Sequence, residues 1–187
     1  GLGGTTRPGS TSERALATAL ETAAQAGCET RLFGAGAMPA ETFDPTRPER
    51  SGAASALIEA LRAADGVLIA TPAYHGGISG LVKNALDFTE DLKDDARPYL
   101  DGRAVGCIVV ADGVQAMGST LASLRASLDP SVELMVDGSE IFTLPTAVEI
   151  ARRLHELGVM WFEEPLPQGA HAGIEALAAV SPVPIAY

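Results

Sequence analysis

Ala70-Thr71-Pro72-Ala73-Tyr74-His75-Gly76-Gly77-Ile78-Ser79-Gly80-Leu81-Val82-Lys83-Asn84-Ala85-Leu86-Asp87-Phe88 is the stretch on which the fold turns. It starts where the apolar run Gly66-Val67-Leu68-Ile69-Ala70 ends, so a buried strand delivers its carboxyl end into a loop of Pro, Tyr, His and glycines. Open α/β sheets bind ligands at such strand ends. Pro72 fixes φ, the glycines let backbone approach a flat ligand, and Tyr74 and His75 offer a ring face and a polar edge. After Ser79 the pattern turns helical, with Leu81, Ala85 and Phe88 near one stripe.

The segment resembles the loop and helix of the NADPH-dependent FMN reductase family, whose pattern runs T-P-x-Y, then L-K-N-A-x-D. Thr71, Pro72, Tyr74, Lys83, Asn84, Ala85 and Asp87 occupy those positions. The resemblance implies that Pro72, Ala73, Tyr74, His75 and Gly76 lie against the isoalloxazine ring of FMN. Read without it, the same run is a strand and a capped helix with a surface tyrosine.

A chain of 187 residues with 47% hydrophobic and 20% charged content can bury one sizeable core. Cys28 and Cys107 show neither CxxC nor metal-ligand spacing, which points to a reducing, cytoplasmic setting; Cys107, mid-strand, reads as a small core hydrophobe. No apolar run approaches the roughly 20 residues of a membrane helix, and no signal-peptide pattern opens the chain. A formal charge of -11 repels phosphate backbones and anionic lipid, so neither nucleic acid nor membrane is an expected partner. A phosphate-bearing cofactor would need local donors.

Such donors stand in Gly1-Leu2-Gly3-Gly4-Thr5-Thr6-Arg7-Pro8-Gly9-Ser10-Thr11-Ser12, ahead of a helical run from Glu13 to Ala26. Glycines, hydroxyls and an arginine at a helix start can gather donors and a positive helix end around one anion. The loop is similar to the family's G-S-x-R-x-x-S phosphate loop, with Gly4, Thr5, Arg7 and Ser10 in the matching places and Ser12 beside them. Taken alone it is a loop with an N-cap.

The rest alternates as a doubly wound sheet requires: a short strand Glu29–Phe33, an exposed Pro-rich connection, a helix Ala53–Ala64 burying Leu57, Ile58 and Leu61, and the strand already quoted. Phe88–Tyr99 reads as a solvated helix end, and Ala104–Ala111 as a strand buried on both faces. Asp112-Gly113-Val114-Gln115 follows, with a helix over Leu121–Leu128; the family resemblance implies that Asp112, Gly113 and Gln115 border the flavin.

Beyond Leu128 that likeness stops. Val132-Glu133-Leu134-Met135-Val136-Asp137-Gly138-Ser139, a helix over Pro145–Leu157, Trp161-Phe162-Glu163-Glu164-Pro165-Leu166, a helix near Gly173–Ala179 and Val183–Tyr187 resemble βα units of the enolase-superfamily barrel, the mandelate racemase and muconate-lactonizing group. That resemblance maps two Mg²⁺ ligands onto Asp137 and Glu163. Ser139 stands where that group has Asn, no third acidic ligand follows and no Lys-x-Lys strand precedes, so no metal site is expected.

The expected architecture is α/β: a flavodoxin-like three-layer sandwich with a mainly parallel sheet, one domain over 1–187. Residues 1–128 form its FMN reductase-type part and 129–187 the barrel-like units that complete the sheet. Val132–Val136 would add a strand, and Val183–Tyr187 would fill the first-strand slot ahead of the glycine loop, as in a circular permutation. The chain thus reads as a chimera, recombined or designed. The function implied is hydride transfer from NADPH or NADH to FMN and on to a small-molecule electron acceptor, in a homo-oligomer. No catalytic acid or base is demanded, because the cofactor carries the chemistry.

Overall fold

The structure, a computed structural model, describes residues 1–128, 132, 134–138 and 140–187. Readings that fell on Ser131, Glu133 and Ser139 lie outside the described residues. The chain divides into two compact units, Gly1–Val132 and Glu133–Tyr187.

In the first unit, β1 (Leu2–Gly3), β2 (Gly66–Pro72) and β3 (Ala104–Val110) form a parallel sheet in that order. Phe33 bridges Leu2 on the other side of β1, so the chain leaves β1 first to one side and then to the other. The carboxyl end of β1 is therefore a topological switch point, where such sheets form their binding crevice. The approach of β1 to β2 is very close. A Cβ on Gly3, whose φ is +152°, would stand 2.1 Å from the Ala70 carbonyl oxygen. Only glycine fits there.

Helices cover both faces of this sheet. α1 (Thr11–Gln25) begins at Ser10, whose Oγ accepts the Glu13 N–H at 3.3 Å, and lays Leu16 and Leu20 on Leu68, Ala70 and Ile108. Burying one such leucine contributes about 1.5–3 kcal/mol. Thr71 alternates with Ala70 and so points to the opposite face. There its Oγ1 accepts the N–H of Ser79, the N-cap of α3 (Gly80–Asp87), at 2.9 Å. α2 (Gly52–Ala63) buries Leu57, Ile58 and Leu61 as its spacing predicts.

Several elements differ from the sequence reading. Glu29–Phe33 forms a single bridge, at Phe33, and not a full strand: Phe33 N–H donates to Gly1 O at 2.8 Å, Gly3 N–H to Phe33 O at 3.1 Å, and the Gly1 amino group to Arg31 O at 2.7 Å. α3 buries Val82, Ala85 and Leu86, and Leu81 is only half-buried. The segment expected to be solvated instead packs as a 3₁₀ turn, Phe88–Leu92, with both ends buried. Its anchor is Arg50, which grips Asp91 with two hydrogen bonds of 2.6 and 2.8 Å and lies 4.9 Å from the Phe43 ring centroid and 5.6 Å from that of Phe88. β3 is not buried on both faces: from Gly106 onward it is half-buried, and among the described residues it is the outer strand of its sheet. Burial nonetheless pushes the Cys107 thiol up to about 12, which suits a core position and not a reactive one. α4 (Val114–Ala126) starts well before Leu121.

The second unit has its own sheet. β4 (Val136–Asp137), β5 (Phe162–Glu163) and β6 (Ile185–Ala186) pair in parallel, with α5 (Leu144–Glu156) and α6 (His171–Val180) packed together. α5 buries Ala147, Ile150, Ala151 and Leu154, one helical stripe, and Phe162 is fully buried. Trp161 is half-buried.

These pairings correct two expectations. Val136–Asp137 adds no strand to the first sheet, and Ile185–Ala186 pairs with β5 and does not occupy the first-strand slot. Leu2–Gly3 fills that slot, in register with Ile69 and Ala70. Pro184 gives the physical reason: it has no N–H for a central ladder, and its carbonyl accepts the Phe162 N–H at 2.9 Å.

Two outcomes are expected from this packing. Gly3→Ala should cost about 3 kcal/mol or more in urea unfolding, because its Cβ meets backbone that cannot move aside. Asp91→Asn should cost about 1–2 kcal/mol near pH 7. The Arg50 guanidinium holds the Asp91 carboxyl below its usual range, so its contribution is present above the unfolded carboxylate value and is lost as pH falls through the folded one. The gap between wild type and variant should therefore close in acid.

Candidate functional site

The carboxyl ends of β1, β2 and β3 send three loops into one cavity of about 330 Å³. The first loop contributes Thr5, Arg7, Ser10, Thr11 and Ser12, the second Pro72, Ala73 and Tyr74, and the third Val110, Ala111 and Asp112. This volume falls within the range of small-molecule pockets, about 300–1,000 Å³. A smaller cavity of about 220 Å³, between Lys83, Tyr99 and Leu128, gathers no strand ends.

The first loop gathers hydroxyls, backbone donors and one guanidinium. Gly4 and Gly9 hold φ of +93° and +67°, which lets the chain turn sharply from β1 into α1. Thr5, Ser10 and Ser12 are buried, whereas Arg7 and Thr11 are exposed. Thr5 Oγ1 accepts the Arg7 N–H at 3.0 Å, and the Ser10 and Ser12 hydroxyls lie 3.4 Å apart. The Ser10 backbone carbonyl accepts Arg14 N–H at 2.9 Å. Among the described residues nothing accepts the N–H of Thr11 or Ser12. Orphan donors of a helix start, set among hydroxyls and one guanidinium, suit a phosphate.

The second loop is braced from below and open above. Ala73 N–H donates to Val110 O at 2.9 Å, tying it to the end of β3. Ser79 Oγ donates to Gly4 O at 3.3 Å while its N–H donates to Thr71, so one serine couples the two loops. His75 and Gly76 have φ of +52° and +75°, and Gly77 N–H donates to Tyr74 O at 3.0 Å, a tight turn that leaves Tyr74 59% exposed. A Cβ on Gly76 would come within 3.0 Å of Ser119 Oγ in α4.

Of the residues singled out in sequence, Thr5, Arg7, Ser10, Ser12, Pro72, Ala73, Tyr74 and Asp112 line the cavity; His75, Gly76, Gly113 and Gln115 do not. Gln115 stands in the first turn of α4 and not in a loop, its carbonyl accepting Ser119 Oγ at 2.6 Å. Gly113 caps that helix at φ +132°. Thr11, Val110 and Ala111 were missed, although Thr11 lies within the loop already quoted. The Lys-Asn-Ala-x-Asp motif stays away from the cavity: Lys83 pairs with Asp87, and the Asn84 amide clamps Phe43 N–H and Glu41 O.

In the second unit Asp137 and Glu163 are register partners at the ends of β4 and β5, and Trp161 Nε1 lies 3.5 Å from Glu163 Oε2. Among the described residues no group of three or more His, Cys, Asp and Glu could hold a metal ion. No helix among them is long and apolar enough to cross a membrane.

The chain is similar to proteins of two kinds. The chain is 37% identical over 68 residues to an NADPH azoreductase of Bacillus sp., covering 36% of this chain and 35% of that protein. It is 28% identical over 104 residues to a D-galactarolactone cycloisomerase of Agrobacterium fabrum, covering 54% and 28%. The chain thus spans only about a quarter to a third of these relatives' lengths. A racemase of Streptomyces coelicolor solved with bound magnesium aligns at 29% identity and a TM-score of 0.42, over 52% of this chain and 28% of that one. The sequence model for NADPH-dependent FMN reductase matches residues 1–149, past Leu128 where the motif reading ended. With that match over most of its length and the phosphate-type loop, the Tyr74 loop and the end of β3 around one cavity, the chain belongs to the NADPH-dependent FMN reductase family.

Proposed function

We propose that this protein binds FMN in the cavity at the ends of β1, β2 and β3 and serves as an NAD(P)H-dependent flavin reductase. The observation that carries the reading is that hydroxyls, orphan amides and Arg7 stand at one part of a cavity whose other wall holds Pro72, Ala73 and the exposed Tyr74. The donor set fits a phosphate, and the second loop offers an apolar, ring-bearing wall. In a protein of charge -11 such local donors are what makes an anionic ligand tolerable.

FMN bound there would supply the redox chemistry, accepting hydride from NADPH or NADH and passing electrons to a small acceptor such as a second flavin, a quinone or an azo compound. The chain's own work is placement. Thr5, Arg7, Ser10 and Ser12 would hold the phosphate, and the braced Ala73–Tyr74 segment would lie against the ring. Asp112 closes the third side. Rate then comes from orientation, without a dedicated acid or base. Neither nucleic acid nor anionic lipid is favoured as a partner; the small acceptor and a homo-oligomer complete the reading, which places the protein in the cytoplasm.

A second reading has one observation in its favour: among the described residues β4, β5 and β6 pair only with one another, in a chain that also matches an enolase-superfamily cycloisomerase. On that reading the chain is a composite that folds and binds FMN with little turnover. A Mg²⁺ enzyme has the weaker footing, since Asp137 and Glu163 lack a third acidic companion among the described residues.

Titration with FMN, followed by flavin fluorescence and the visible spectrum, tests the proposal. Arg7→Ala should weaken FMN binding about tenfold, equal to about 1.4 kcal/mol, and leave riboflavin, which has no phosphate, unaffected. NADPH oxidation by the FMN-loaded protein separates a reductase from an inert binder. Absence of FMN binding, together with a large Mg²⁺-dependent rise in Tm, would reverse the assignment.

A further inference from the structure

Glu13 is a residue that neither the sequence motifs nor the cavity lining singles out. It stands in the first turn of α1, three residues after the N-cap Ser10. In an ordinary capping box a glutamate there returns to the N–H of its own N-cap. Here the carboxylate reaches further in both directions. Oε1 accepts the N–H of Gly9 at 3.4 Å and Oε2 accepts the N–H of Ala35 at 3.1 Å.

The side chain is also hemmed in by two glycine backbones. A Cβ on Gly4 would lie 3.1 Å from Glu13 Cβ, and one on Gly34 would lie 3.0 Å from Glu13 Cδ. Among the described residues, Gly9 and Ala35 have no other acceptor for these N–H groups. One carboxylate therefore joins the anion-type loop to the turn that follows Phe33, the strand partner of Leu2. Its two oxygens are each engaged by a backbone donor, Oε1 by Gly9 and Oε2 by Ala35.

We propose that Glu13 is a positioning residue for the phosphate of the bound flavin: by holding Gly9 and Ala35 together, it keeps the Thr5–Ser12 loop in the shape that presents its donors to the cavity. This rests on the FMN reading of the same cavity. Glu13 touches no ligand itself. Its effect is felt by the phosphate and not by the ring, so it sets the preference for FMN over riboflavin.

The test compares FMN and riboflavin affinities of the full chain by fluorescence titration. Glu13→Gln keeps the side chain's size, and so its packing on Gly4 and Gly34, but loses the charge and one acceptor. FMN affinity should fall at least fivefold while riboflavin affinity stays within twofold. Glu13→Asp keeps the charge but is one methylene short, so its FMN affinity should fall between those of wild type and Glu13→Gln; it also carries the comparison if Glu13→Gln does not fold. Equal losses for both flavins would show a purely structural role and overturn the proposal. Unchanged or tighter FMN binding in both variants would show that the carboxylate merely repels phosphate, and would overturn it too. Wild-type protein that binds neither flavin fails at an earlier step, bringing down the cavity reading and this proposal with it.

Discussion

The close approach of Gly3 to the Ala70 backbone is the constraint from which the rest of the first unit follows. β1 is only two residues long, yet it lies between Phe33 and β2 and hydrogen-bonds on both sides: Gly3 N–H donates to Phe33 O and Gly4 N–H to Ala70 O, at 3.1 and 2.9 Å. A strand so short cannot hold its place by ladder length. It does so by fit, with Leu2 fully buried and Gly3 admitting no side chain. Because β1 ends level with Ala70, the loop after it emerges beside the loop after Pro72. Ser79, bonded to both Thr71 and Gly4, fixes that adjacency. The spacing between the Thr5–Ser12 loop and the Ala73–Tyr74 loop is thereby set by strand register, which is stiffer than any loop.

A second theme is the division of labour within the family motif. Pro72, Ala73 and Tyr74 face the cavity, whereas Lys83, Asn84 and Asp87 serve the scaffold. Asn84 satisfies two backbone groups of the Pro-rich connection, and Arg50, Phe43, Phe88 and Asp91 pin the same connection to the 3₁₀ turn. A long irregular segment thus has its polar backbone accounted for at the surface. The cavity is spared that task.

Much of this was legible in the sequence, and the failures have physical causes. The run Gly66–Pro72 and the Tyr74 loop could be read because a buried central strand is continuously apolar and its exit is marked by Pro and Gly. The hydroxyl-rich loop could be read as the turn into α1 because its glycines permit a sharp turn and Ser10 is a preferred N-cap residue. Glu29–Phe33 was overread, since local composition cannot tell a strand from a single bridge held by one neighbour. The burial of Phe88 and Leu92 was missed because the charges around them looked solvated, and only the fold brings Arg50 to Asp91. Strand partners for Ile185–Ala186 could not be derived at all: pairing is a long-range choice, and the pattern of an apolar strand does not name its neighbour. Glu13 was within reach, as Ser10-Thr11-Ser12-Glu13 spells a capping box, but its second partner lies 22 residues away.

The account depends on two loops gripping one mononucleotide, and amide chemical-shift mapping of the full chain during FMN addition tests that most directly. The amides of Thr5–Ser12 and of Ala73–Tyr74 should shift together and saturate along one binding curve. Shifts confined to a single loop, two curves with different midpoints, or changes clustered on β4 and β5 instead would contradict it.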